Sequence, residues 1–172
     1  MGYSGAVTIE DYATRLGRLL ANLHSLEFLL RSFLQDQPSA RPIGLPYGTD
    51  LYSFPIGSQL PENELTSYDS LGHLISKFNG EMKARGIDGI DSSLVELRDA
   101  LAHGRVSSAA LTSGLRLIKF DRPVKGTVRV TFNSALTQDW FKSETWRVLD
   151  AMRIVAAQMP SVTSPDGLAS QK

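Results

Sequence analysis

The feature that most constrains this chain is a long helical repeat near its N-terminus. In "TIEDYATRLGRLLANLHSLEFLLRSFLQD", residues 8–36, apolar side chains recur at alternating steps of three and four residues. This spacing places them on one face of an α-helix. The stripe consists of Ile9, Tyr12, Leu16, Leu19, Leu23, Leu26, Leu30 and Phe33. The pattern predicts one long helix, and Thr8 and Asp11 are suited to cap its first amides.

Three further segments have helical character. Residues 62–86 carry a second apolar stripe that ends at a glycine, which is typical of a helix C-terminus. A shorter helix follows, with Ser93 and Glu96 placed as a capping box and Gly104 as its C-terminal cap. The last helix is predicted over residues 137–159.

Between the third and fourth helices the period changes from that of a helix to that of a strand. "LRLIKF" and "TVRVTF", residues 115–120 and 127–132, alternate as strands, and "DRPVKG" between them has the proline and glycine of a turn. Residues 36–61 contain five prolines and three glycines, which predicts a long irregular loop. We therefore expect a mainly α protein, a four-helix bundle with a small β-hairpin before the last helix. It forms one domain over residues 1–160, and the polar tail 161–172 is expected to be disordered.

Composition excludes several classes of function. The chain contains no cysteine, so disulfides, thiolate zinc sites and cysteine nucleophiles are ruled out. The three histidines lie in different elements, and glycine-rich phosphate loops are absent, so we expect no metal site and no cofactor. No apolar run reaches the roughly 18 to 20 residues that span a bilayer, and no leader is visible, which predicts a soluble, cytoplasmic protein without a membrane partner. With 18 basic and 18 acidic residues, any contact with nucleic acid must come from a local patch.

The segment "ELRDALAHGRV", residues 96–106, gathers ionisable side chains at the end of the third helix. Asp99 and His103 are four residues apart and share a helix face, so the carboxylate is expected to accept a hydrogen bond from the imidazole and orient it. His103 lies in the final turn, where exposed carbonyls favour a cation. Arg98 lies about 140° away from His103 around the helix, so one helix does not aim both at the same atom. Arg105, just past the glycine, is placed to add a phosphate contact.

"ELRDALAHG" resembles the signature of the HEPN superfamily, small all-helical domains of which many are metal-independent ribonucleases that act as toxins or in phage defence. That signature is an arginine, usually followed by Asn, Asp or His, then three or more residues and a histidine, and Arg98, Asp99 and His103 match it in order and spacing. The resemblance implies that RNA is cut by its own 2′-hydroxyl, with His103 as general acid or base and Arg98 on the phosphate. It also implies a homodimer through the motif helix, and an antitoxin or regulatory protein as a further partner.

Two alternatives stand beside this interpretation. Arg18 and His24 satisfy the loose form of the same motif, which limits its specificity. In the first alternative "RDALAHG" is only a helix end, where His103 caps carbonyls and Arg98 pairs with an acid on the surface. In the second, the domain is HEPN-like but not catalytic, and serves as a dimeric RNA-binding or protein-interaction module. Catalytic side chains must line an accessible cleft, whereas structural ones should be covered and hydrogen-bonded.

Other candidate residues are interpreted as structural. His24 and His73 are isolated in apolar-striped helices, and Glu27 is either a partly buried glutamate or a residue that orients Arg98 across the bundle. Trp140, Phe141 and Trp146 are assigned to the core or to an interface, because nothing basic is interleaved with them.

Overall fold

The long N-terminal helix and its partners form the body of the protein. The computed structural model describes residues 9–46, 48–108 and 114–160. Its helices are α1 (Ile9–Gln35), α2 (Leu71–Ala84), α3 (Leu94–His103) and α4 (Gln138–Ala157). α1 packs along α4 and α2, and α3 lies against α1 and against the sheet. The predicted mainly α fold is confirmed, and no helix in the described ranges is long and apolar enough to cross a membrane.

The apolar stripe of α1 forms the centre of the core. Its fully or almost fully buried members are Leu19, Leu23, Leu26, Leu30 and Phe33. The ring of Phe33 meets that of Phe78 on α2 edge to face, with centroids 4.9 Å apart. Burial of each such side chain contributes on the order of 2 kcal/mol, so the helical period of this segment is enforced by packing. Thr8, the predicted cap, lies outside the described residues.

α2 begins nine residues later than its sequence pattern predicts. Its N-cap is Ser70, and the preceding residues 62–70 are irregular. The cause is a contact with α1: the guanidinium of Arg31 donates to the backbone carbonyls of Ser67 and Asp69 at 2.8 and 2.7 Å. Because these carbonyl oxygens already accept hydrogen bonds from Arg31, this segment does not have to form a helix to satisfy them.

The long loop between α1 and α2 is irregular but well anchored. The described part of 36–61 contains a single 3-10 turn, Leu51–Ser53. Asn63 is completely buried, and its amide donates to the carbonyl of Ile43 at 3.2 Å while its oxygen accepts from two backbone amides of its own turn. A buried amide that is satisfied in this way fixes the path of the chain at both ends of the contact.

The described residues form three antiparallel strands before α4, one more than predicted. They are β1 (Arg105–Ser108), β2 (Leu115–Phe120) and β3 (Val130–Ala135), in the order β1-β2-β3. β2 has the predicted bounds, but β3 begins three residues later than its pattern indicates. The reason is a longer connection, in which Val124 and Thr127 pair across a turn. Lys125 and Gly126 form that turn with φ of 50° and 80°, as a tight hairpin turn requires.

The N-terminus of α3 is capped differently from the predicted capping box. The side chain of Ser93 makes no cap hydrogen bond to the helix, so the box with Glu96 is wrong. Asp91 instead accepts the Ser93 amide at 2.8 Å, and Arg147 on α4 donates to the same carboxylate at 2.7 Å. This link ties the start of α3 to α4, and the hydrogen bond from Arg147 lowers the pKa of Asp91.

Asp91→Asn is expected to reduce the free energy of unfolding by about 0.5 to 1 kcal/mol at neutral pH, a small loss because the carboxylate is half exposed. A carboxyl group whose pKa is lowered by folding stabilises the protein above its ordinary pKa of about 4. That contribution is lost as the pH falls through the lowered value. Urea unfolding should therefore show a difference between wild type and variant that is largest above about pH 5 and shrinks below about pH 4.

Asp88→Asn provides the matched control, because Asp88 is an exposed carboxylate in the same connection. It should leave the unfolding free energy nearly unchanged at every pH. A difference between Asp91→Asn and wild type that is equally large at pH 3 and pH 7 would contradict the assignment.

Candidate active site at the end of the third helix

The motif segment occupies the second half of α3, and its orientation is set by the core. Leu94, Leu97 and Ala100 are buried, so this face of the helix is turned inward. Arg98 and Asp99, the two residues between the buried positions 97 and 100, keep side chains that are each 41% exposed. Packing of the apolar face therefore leaves the ionisable residues of the motif accessible, as an active site requires.

Arg98 lies between two carboxylates. Its Nε is 3.7 Å from Oε1 of Glu27 on α1, and its Nη1 is 3.7 Å from Oδ1 of Asp99. These separations exceed hydrogen-bond distance, so the carboxylates attract the guanidinium without using its donors in the described structure. Glu27, whose side chain is 21% exposed, is a partly buried glutamate and also lies near enough to attract Arg98, so both interpretations that the sequence left open fit its position.

Asp99 does not accept the predicted hydrogen bond from His103. Its Oδ2 is 3.4 Å from Nζ of Lys119, and its other oxygen faces Arg98. The reason is the sheet: β2 packs against α3 and brings a lysine next to the carboxylate. Ion pairs with charged donors are the stronger interactions of a carboxylate, so Asp99 faces Lys119 and Arg98 and makes no hydrogen bond to His103 among the described residues.

His103 is the last residue of α3, as predicted, and it lines a surface cavity. The cavity has a volume of about 240 Å³ and is lined by His103, Arg105, Phe120, Asp121, Pro123 and Val128. His103 is exposed, and its side chain makes no hydrogen bond or ion pair within the described ranges. A histidine in this situation keeps both ring nitrogens available to a ligand.

Arg105 shares this cavity and stacks on its wall. Its Cζ is 5.4 Å from the centroid of the Phe120 ring, a cation–π contact that holds the guanidinium over the aromatic face. Arg98 and Asp99 are not among the residues that line the cavity. The structure thus brings His103 and Arg105 together, and it leaves Arg98 on a separate part of the surface, on α3.

Sequence reasoning missed two residues that shape this region, Lys119 and Phe120. Both come from β2, which was recognised as a strand, but their proximity to α3 depends on the pairing of Arg105 with Ile118. β1, which makes that pairing, is only four residues long and has one strongly apolar side chain. Such a segment carries too little alternation to be identified as a strand.

No group of three or more His, Cys, Asp or Glu side chains that could hold a metal ion occurs in the part of the chain that the structure describes. The groups available for chemistry in the cavity are an imidazole, a guanidinium and an aspartate carboxylate. These can move a proton and bind an anion. The chain matches no protein-family model, no curated protein and no solved structure.

Proposed function

We propose that the protein is a metal-independent endoribonuclease of the HEPN type that acts in the cytoplasm as a toxin or in defence against phages. The observation that supports it most is the situation of His103, which is exposed, free of hydrogen bonds within the described residues, and part of the same cavity as Arg105. A histidine that merely closes a helix end should be hydrogen-bonded to carbonyls or covered.

In the proposed reaction the 2′-hydroxyl of RNA attacks the neighbouring phosphorus, and the bond from phosphorus to the 5′ oxygen breaks. His103 takes the proton of the 2′-hydroxyl or protonates the leaving 5′ oxygen. Arg98 and Arg105 bind the phosphate oxygens and stabilise charge in the transition state. The products are a 2′,3′-cyclic phosphate and a 5′-hydroxyl, and DNA is not a substrate because it lacks the nucleophile.

Asp99 acts as a positioning residue in this proposal. It lies within 3.7 Å of Arg98 and 3.4 Å of Lys119, so it restrains the guanidinium that would bind the phosphate. Arg98 itself is outside the cavity of its own subunit. A homodimer through α3 would add a second copy of the motif to the cleft, and a toxin of this type also implies an antitoxin or regulatory protein that keeps it inactive.

The second candidate is a HEPN-like dimeric module that binds RNA or protein without cleaving it. One observation favours it: the carboxylate of Asp99 faces Lys119 and Arg98, so it does not orient His103 for proton transfer. In that case the cations around the end of α3 would serve binding alone.

The decisive experiment is cleavage of an unstructured RNA oligonucleotide by the purified protein in excess EDTA. We expect products with 2′,3′-cyclic phosphate ends, and no cut where a single 2′-deoxynucleotide replaces the ribonucleotide on the 5′ side of the scissile phosphate. Cleavage at the 2′-deoxy position, or cleavage that appears only when Mg²⁺ is added, would contradict the proposed reaction. Binding of the RNA without cleavage would favour the dimeric module.

A further inference from the structure

A second cavity lies on another part of the molecule, between the N-terminal half of α1 and the beginning of α4. It has a volume of about 380 Å³, which is within the range of small-molecule sites. Arg15 and Arg18 line it from α1, and Asp139, Lys142 and Trp146 line it from α4. We call it the α1/α4 cleft. It shares no lining residue with the cavity of His103.

The α1/α4 cleft carries more positive than negative side chains, and its cations have no partners in the part of the chain that the structure describes. Arg15 and Arg18 are three residues apart, so they are neighbours on the surface of α1, and Lys142 faces them from α4. None of these three side chains forms a hydrogen bond or an ion pair among the described residues. Asp139 is the one acidic side chain in the described lining. The balance therefore favours an anion in the cleft.

Arg15, which lines the cleft, carries an unpaired donor. Its Nε atom is buried and has no hydrogen-bond partner among the described residues. Buried donors are almost always paired, and an unpaired one costs free energy. The two Nη groups of the same guanidinium are further donors, and an anion in the cleft could accept from them.

The aromatic wall of the cleft is Trp146, which is 50% exposed. The sequence assigned this residue to the core or an interface, and its exposure shows that it is not a core residue, in contrast to the buried Phe141. Arg153 lies with its Cζ 5.3 Å from the centroid of the Trp146 ring, and Lys142 is one helical turn away. Basic side chains therefore surround this ring in the folded protein. The sequence pattern does not show this, because two of them come from α1.

We propose that the α1/α4 cleft binds a phosphorylated nucleotide, with the phosphate on Arg15, Arg18 and Lys142 and the base stacked on Trp146. A cationic pocket beside an accessible indole matches both parts of such a ligand. α4 begins at Gln138, which also lines the cleft, so the positive end of this helix adds to the attraction for phosphate. The nucleotide comes either from a free mononucleotide or from one position of a single strand.

Isothermal titration calorimetry of the full-length protein tests this, with three probes: inorganic phosphate, AMP, and a 2′-O-methyl uridine dodecamer that the proposed ribonuclease cannot cut. We expect AMP to bind more tightly than phosphate, and both affinities to fall as salt rises. The double variant Arg15→Gln/Arg18→Gln should weaken AMP at least tenfold. Trp146→Ala should weaken it roughly 5- to 100-fold, and Trp146→Phe should retain most of the affinity because it keeps a stacking ring.

The matched control is Lys83→Gln, which removes one exposed positive charge from α2 and lines neither cavity; it should bind AMP like wild type. Circular dichroism establishes that each variant is folded. Equal affinity for AMP and the dodecamer assigns the site to a free nucleotide. A tenfold or greater preference for the dodecamer that the double variant Arg15→Gln/Arg18→Gln abolishes assigns it to a single strand.

Three results would overturn the proposal: no binding of AMP or dodecamer at millimolar concentration, binding that all the cleft variants retain, or phosphate binding as tight as AMP binding and indifferent to Trp146. The proposal does not depend on ribonuclease activity. His103→Ala should bind AMP normally, and loss of binding in that variant would place the nucleotide elsewhere.

Discussion

Replacing His103 with alanine is expected to slow cleavage of an RNA oligonucleotide by roughly 10²- to 10⁴-fold, the usual contribution of a positioned general acid or base. The imidazole is exposed at the end of α3 and shares its cavity with Arg105. In the proposed reaction its removal takes away the proton carrier and leaves the guanidinium groups that would bind phosphate. The variant should therefore bind RNA nearly as well as wild type but cleave it slowly, and single-turnover rates at saturating protein concentration separate the two effects.

His24→Ala is the matched control for this prediction. Arg18 and His24 satisfy the same loose spacing as Arg98 and His103, and His24 is also exposed. It lies in the middle of α1, however, and lines neither cavity. The rate of His24→Ala should equal that of wild type. Equal losses in the two variants, or an undiminished rate in His103→Ala, would remove His103 from the mechanism.

The elements that the sequence predicts well are those whose signal is local and strong. α1 is 27 residues long, its apolar stripe runs from Ile9 to Phe33, and the buried face of the helix follows directly from its period. The start of α2 was misplaced because its signal is not local. Residues 62–70 have helical spacing, but Arg31, more than 30 positions earlier, takes the carbonyls of Ser67 and Asp69. The hydrophobic pattern of residues 62–70 alone cannot reveal a contact with a side chain so distant in sequence.

The candidate site likewise has features that the local sequence predicts and features that it does not. That Arg98, Asp99 and His103 occupy one short helix with His103 in its last turn follows from the sequence pattern. The partners of Asp99 and the stacking of Arg105 on Phe120 do not follow from it, because both depend on how β1 pairs with β2. Strand pairing is set by contacts between distant segments, and β1 is too short to be recognised as a strand from its sequence. The α1/α4 cleft was missed for a related reason, since its charges come from two helices far apart in the chain.

Gly104 connects the two parts of the site, and its role differs from the one that its position suggests. It is the C-cap of α3, where glycine usually serves because it adopts a positive φ. Here its φ is −75°, a value that any residue accepts. What requires glycine is space: a Cβ at this position would lie 2.3 Å from the carbonyl oxygen of Ala100, 2.6 Å from Cδ1 of Leu117 and 3.2 Å from the carbonyl oxygen of Ile118.

Gly104→Ala is therefore expected to lower the free energy of unfolding by about 3 kcal/mol, at the upper end of the usual cost of overpacking. The Ala100 oxygen belongs to α3 itself, so relief of that contact requires the last turn of the helix to open. Leu117 is buried, so relief of the contacts with Leu117 and Ile118 requires α3 and β2 to move apart. For a chain of this size the melting temperature should fall by roughly 6 to 12 °C. The movement also separates His103 from Arg105, so RNA cleavage should fall at temperatures where the variant is still folded.

Gly80→Ala tests whether this loss comes from crowding and not from the change of glycine as such. Gly80 is exposed within α2, and a Cβ there would meet nothing within 4 Å. Because alanine favours the helix more than glycine does, this variant should be more stable than wild type by about 0.5 to 1 kcal/mol. Thermal and urea unfolding of both variants decide the matter. If Gly104→Ala is as stable as wild type, the close approach of α3 to β2 does not hold the two parts of the site together.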